Sequence, residues 1–179
     1  MNNAFYDRIS RSTAHRNSRE DNAHYILENP DKLPALFQIA VTVNDKNHHK
    51  ACWILELIFE TDIQLSGPFL DPFCTALPHW KVDGAVRSAS KICMMLSQQH
   101  SRQPFLSQKQ VAKLSESCFD WLISDVKVAP KAYAMRALFE LGKSERWIYP
   151  ELKIILSEDF TKHSAAYKGA AKDILRKIG

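Results

Sequence analysis

One frame recurs four times along this chain and limits what it can fold into more than any other feature. A basic residue (Lys50, Arg87, Lys131, Lys168) is followed at once by small residues: Ala51; Ser88 and Ala89; Ala132; Gly169 and Ala170. Seven positions after each basic residue stands a large apolar one, Leu57, Met94, Leu138 or Leu175. Apolar residues at helical spacing run through each segment and predict four helices, "KNHHKACWILELIFE", "DGAVRSASKICMMLSQQ", "APKAYAMRALFELG" and "HSAAYKGAAKDILRKI". The basic residues lie 37, 44 and 37 positions apart. The extra seven fall in "QQHSRQPFLSQ", where Pro104 breaks any helix and predicts a loop.

Proline marks the helix that precedes three of these. Pro30 and Pro34 lead into "LPALFQIAVTV", Pro72 into "FCTAL" and Pro150 into "ELKIILSEDF". Proline is tolerated in a first helical turn because the N–H it lacks has no partner there. Leu33, Leu36, Phe37, Ala40 and Val43 continue the first of these at helical spacing. Gly142, just after "LFEL", predicts a left-handed C-terminal cap. No strand-like alternation runs long enough to compete.

A helix pair repeating near this length resembles the HEAT and armadillo repeats, which run about 40–47 residues. The resemblance implies an all-α fold, a right-handed α-solenoid of HEAT-like helix pairs with nine or ten helices. A single domain over 1–179 is expected. Capping helices span 1–29, and repeats span 30–64, 65–101, 108–143 and 144–179, with 102–107 as the loop. The stretch "DVKVAPKAYAMRAL" resembles the HEAT corner: Asp125 in the turn, Val128 three on, Lys131 six on, then Ala132 and a small-rich helix. Asp45 and Asp83 stand similarly before Lys50 and Arg87, whereas the acid nearest Lys168 is Asp159. Such an aspartate can cap the following helix, favour its positive start, or pair with a basic residue of the same or next repeat.

Composition excludes several classes. With 45% hydrophobic and 25% charged residues the chain is ordinary globular material, not a disordered one. The net charge of +4 permits an acidic partner without requiring one. The longest apolar run, "ACWILELIF", is interrupted by Glu56 and is far short of the roughly 20 residues that span a bilayer. "MNNAFYDRISRSTAHRNSRED" has no apolar core and predicts no secretory signal. Cys52, Cys74, Cys93 and Cys118 form no CxxC pair and read as buried reduced thiols of a cytoplasmic protein. His48 and His49 are adjacent, point about 100° apart on a helix, and cannot clamp one metal. They are expected to be exposed at a helix start. No GxGxxG, Walker loop, GxSxG or HExxH occurs, and neither a metal nor a cofactor is expected. Trp53, Trp80, Trp121 and Trp147 are expected to pack between helices.

Two further resemblances bear on function. Trp121 followed four positions later by Asp125 is similar to the pair that HEAT-like DNA-alkylation-repair glycosylases use. There the carboxylate would stabilise a positively charged sugar, with Arg136 and Trp147 the nearest candidates for further site residues. The segments "KACWILELIFE", "AVRSASKIC", "CFDWLISDVKVAPKAYAMRALFELGKSERWIYPEL" and "SAAYKGAAKDILRKI" resemble a small bacterial family, chiefly from Bacteroidetes, sometimes labelled adenylosuccinate lyase. Nothing here fits that label. The chain has no Ser-rich loop with a Met-Pro-x-Lys signature, and so no serine to act as the general base of an elimination.

The expected function is a non-catalytic interaction module that binds a protein or peptide on a concave, partly basic surface, with no catalytic residue. The candidate binding residues are Lys50, Arg87, Lys91, Lys131, Arg136, Lys168 and Lys172, since equivalent positions of successive second helices align in a solenoid. Nucleic acid is the alternative ligand, because a basic stripe can also track phosphates. A membrane is not expected as partner, and neither the protein partner nor the oligomeric state is named by the sequence.

Overall fold

A computed structural model of the chain describes residues 3–158 and 164–179. Ten α-helices follow one another in them: α1 (Asn3–Ser10), α2 (Arg16–Glu28), α3 (Leu33–Val41), α4 (His48–Thr61), α5 (Leu70–Ala76), α6 (Asp83–Arg102), α7 (Gln108–Ile123), α8 (Val128–Leu141), α9 (Ile148–Glu158) and α10 (Ala165–Ile178). Short 3-10 segments at Pro30–Lys32, Ile63–Phe69 and Leu77–His79 link some of them. No strand occurs among the described residues, so the chain is all-α. No helix among them is long and apolar enough to cross a membrane.

Local chemistry explains where the helices begin. Pro34 lies in the first turn of α3, and Pro72 and Pro150 lie early in α5 and α9. Pro104 sits in the gap between α6 and α7. Ser107 then opens α7 with a capping box: its Oγ accepts the Gln110 N–H at 3.3 Å, and the Gln110 side chain accepts the Ser107 N–H at 2.9 Å. His100 closes the same loop, its Nδ1 accepting the N–H groups of Phe105 and Leu106, each at 3.0 Å.

Gly142 departs from expectation. It ends α8 with φ −62° and ψ −13°, a right-handed conformation open to any residue. What excludes a side chain there is the ring of Tyr149, which occupies the place a Cβ would take. Tyr149 is fixed in turn by its hydroxyl, which donates to the Phe139 carbonyl at 3.2 Å.

The chain divides into two compact units, Met1–Ala89 and Ser90–Gly179, with the boundary inside α6. In the first unit α4 is the central helix, and α1, α2 and α3 pack on it. Its Ala51, Cys52, Ile54, Leu55 and Ile58 are fully buried. Gly84, at the start of α6, lets Trp53 of α4 lie flush against the backbone, for an added Cβ would meet its Nε1 at 2.7 Å. In the second unit α8 is central, packed on by α7, α9 and α10. Ala134, Met135, Ala137 and Leu138 of α8 are buried, as are Leu114, Cys118 and Leu122 of α7, Leu152 and Leu156 of α9, and Tyr167, Ala171 and Ile174 of α10, and together they make up the core of this unit. Each buried leucine contributes about 1.5–3 kcal/mol by leaving water. All four cysteines are buried, and none is joined in a disulfide.

Candidate functional site

The basic residues of the recurring frame turn inward more than outward. Lys131, near the start of α8, is only 5% exposed, and its Nζ donates to the Leu122 carbonyl at 2.8 Å. Leu122 is the penultimate residue of α7, so the ammonium satisfies a carbonyl that has no intrahelical partner. It also lies at the negative end of the α7 dipole. Lys50 of α4 does the same for α1: its Nζ donates to the carbonyl of Ser10, the last residue of that helix. In both cases one helix supplies the C-terminal cap of another.

Arg87 is engaged differently. Its guanidinium bonds both oxygens of Glu56, at 3.2 and 2.9 Å, and Ser88 Oγ donates to one of them at 2.6 Å. Glu56 is 1% exposed in the middle of α4. Its charge is tolerated there because these donors replace its water.

The remaining candidates are less absorbed. Lys91 is half-buried and interacts within the chain. Arg136 on α8 and Lys172 on α10 are exposed, and Lys168 is half-buried; none makes an ion pair among the described residues. The aspartates do not form the expected ladder at Asp45 and Asp125. Asp45 Oδ1 accepts the Tyr6 hydroxyl at 2.9 Å and the Asn47 N–H at 2.7 Å, tying α1 to the turn before α4. That bond to Asp45 is the main reason the Tyr6 pKa is raised. Asp125 is exposed and caps nothing: the N-cap of α8 is Lys127, without a side-chain bond. Asp83 opens α6, where its charge suits the helix start. Asp159 lies outside the described residues.

The histidine pair also departs from expectation. His48 is 2% exposed, with Nδ1 3.4 Å from the Ala40 carbonyl and its ring near Trp80. Burial lowers its pKa; burial also lowers that of His49, which stands edge-on to Trp53, and the adjacent His48 and Lys50 add to that shift. The α3–α4 turn folds His48 back under α3, which adjacency in sequence does not reveal. No group of histidine, cysteine and carboxylate side chains among the described residues is arranged to hold a metal ion.

Of the tryptophans, Trp80 and Trp121 are buried, Trp121 at 6% exposed on α7 beside its neighbours Cys118 and Leu122. Its indole is packed and offers no face to a stacked base. Trp147 departs from the packed expectation, for it is 54% exposed in the turn before α9. It lines an open groove of about 270 Å³ together with Glu145 and with Gln108, Val111 and Ala112 of α7. Phe119 backs it, ring centroids 6.1 Å apart. The exposed Ile123 and Ile154 lie on α7 and α9 of the same unit.

Sequence reasoning did not single out Glu56 or the groove. Glu56 read as an interruption of an apolar run, although a charge inside such a run is itself a sign of a buried partner. Trp147 lies in "KSERWIYP", with four polar residues before it, a context that points to a turn and not to a core. No protein-family model, curated protein or solved structure matches this chain.

Proposed function

We propose that the chain is a non-catalytic interaction module of HEAT-like helix pairs that binds a protein or peptide segment, and that Trp147 is its anchor. The observation that carries this reading is the Trp147 groove. A large exposed indole beside Val111 and Ala112, rimmed by Gln108 and Glu145, has the make-up of an interface hot spot. The segment it suits presents one aliphatic or aromatic side chain to the groove and backbone donors to Glu145. Lys50, Arg87 and Lys131 are left out of this surface because their charges are used inside the fold.

The test is a photo-cross-linking residue placed at position 147 in living cells, with Trp147→Ala compared in pull-downs with a control, Val82→Ala, at an exposed apolar residue of the first unit. Recovery of a defined partner that Trp147→Ala loses and Val82→Ala keeps supports the module. Equal recovery by both variants removes Trp147 from the interface.

Nucleic acid is the second reading, favoured by Arg136, Lys168 and Lys172, whose charges are not paired among the described residues. Three phosphate contacts give a log–log salt slope of about −2.7 on duplex DNA, at about −0.9 per contact. Binding with no such slope removes it.

A further inference from the structure

The Trp147 groove opens onto a larger face of the second unit. Four large apolar side chains are exposed among the described residues, and three of them, Ile123, Trp147 and Ile154, belong to α7, α9 or the turn before α9. Resting on the reading of Trp147 as an anchor, we infer what it anchors: an amphipathic helix of about three turns with lysine or arginine flanking its apolar stripe.

Two rows of residues make the face. Ala112, Glu116, Phe119 and Ile123 follow one another at helical spacing along one side of α7, all exposed except the half-buried Phe119. Trp147, Glu151, Ile154 and Glu158 do the same on α9 and the turn before it, and all four are exposed. The rings of Phe119 and Trp147 join the two rows. From Ala112 to Ile123 the α7 row rises about 16 Å, or roughly three turns, which sets the length of helix it can cover. Apolar side chains thus alternate with carboxylates, and no basic residue stands in either row.

Charge decides the partner. Glu116, Glu145 and Glu151 make no ion pair among the described residues. The bases nearest in sequence are engaged or set apart: Arg146 lies over the Tyr149 ring at 5.8 Å, Lys153 donates to the Gly179 carbonyl, and Lys109 and Lys113 stand further round α7. On a chain of net charge +4 this face is a local excess of negative charge. A partner that brings positive charge offsets the mutual repulsion of the carboxylates as it covers the apolar side chains. An acidic segment or a nucleic acid would add to that repulsion. A helix suits the face better than an extended segment, because this all-α unit offers no strand edge to pair with a bare backbone. Its unpaired first-turn N–H groups are the backbone donors that meet Glu145.

Fluorescence anisotropy of the full chain with two labelled peptides of about twelve residues tests this. Both are stapled to stay helical and carry the same leucine stripe, flanked by lysine in one and by glutamate in the other. The lysine peptide is expected to bind at least tenfold more tightly than the glutamate peptide. The double variant Glu116→Lys, Glu151→Lys is expected to weaken the lysine peptide at least tenfold, and so is Trp147→Ala. Both glutamates are exposed, so the double variant is expected to keep the wild-type melting temperature, which serves as the folding control. No binding of the lysine peptide at millimolar concentration overturns the proposal, and so does binding that the double variant leaves unchanged. Equal binding of both peptides that Trp147→Ala abolishes keeps the anchor and overturns the basic helix. Lysine-peptide binding that the double variant loses and Trp147→Ala retains supports the basic helix and overturns the anchor.

Discussion

Lys131 holds the end of a helix it does not belong to: from α8, its ammonium caps the Leu122 carbonyl near the C-terminus of α7 at 2.8 Å. This pins the α7–α8 pair at its corner. Lys131→Met keeps the apolar stem but leaves a buried carbonyl unanswered, and is expected to lower unfolding free energy by about 1–3 kcal/mol in urea titration. Arg136→Met, five residues on and exposed, is expected to change it by less than about 0.5 kcal/mol. If the two variants unfold at the same urea concentration, the cap does not matter.

Arg87→Met removes the main counter-charge of a carboxylate that cannot reach water. Breaking a buried pair from one side costs about 3–5 kcal/mol, and the low end applies because Arg87 is itself partly exposed. The double variant Glu56→Leu, Arg87→Met removes the charge along with its partner, and is expected to recover most of that loss. Thermal melts of the three proteins decide it: a double variant no better than Arg87→Met contradicts the account.

Gly142→Ala should stabilise on backbone grounds, since its conformation is helical, yet it is expected to destabilise by about 1–3 kcal/mol through overpacking against Tyr149. In a Tyr149→Ala background the same change is expected to be neutral or slightly favourable, because the obstacle is gone. A double-mutant cycle with no coupling would sink this explanation.

Acid should loosen the loop before α7. His100 Nδ1 accepts two backbone N–H groups only while unprotonated, and burial lowers its pKa, with Glu145 opposing weakly. A histidine with a lowered folded pKa binds fewer protons folded than unfolded. Its stabilisation is therefore complete above the unfolded value of about 6.5 and is lost as pH falls from there towards the folded pKa. Hydrogen exchange at Phe105 and Leu106 is expected to gain relative to the intrinsic rate as pH drops from 7 to 5. His100→Gln keeps an acceptor that does not titrate, and is expected to flatten that dependence.

The helices were legible because their signals are local. Pro34, Pro72 and Pro150, the small residues after each basic one, and the loop at Pro104 all act within a turn or two of themselves. What a charged side chain reaches was not legible in this way. Lys50 and Lys131 occupy the same place in the frame and both cap a helix, but Lys50 reaches back forty residues to Ser10 and Lys131 only nine to Leu122. Glu56 finds Arg87 thirty-one residues on. Long flexible stems make such choices depend on which helix end comes near, and that is decided by packing. Gly142 shows the same limit from the other side: the glycine was visible, but the ring that requires it was not.

The buried cysteines give the molecule a pair of internal clocks. Cys52 and Cys74 belong to the first unit, and Cys93 and Cys118 to the second. Only a thiolate reacts, and burial strongly disfavours that form at Cys52. A thiol reagent must therefore wait for the surrounding helices to part. Followed by mass spectrometry peptide by peptide, the two pairs would time the opening of each unit separately, in unlabelled protein and with no substitution at all.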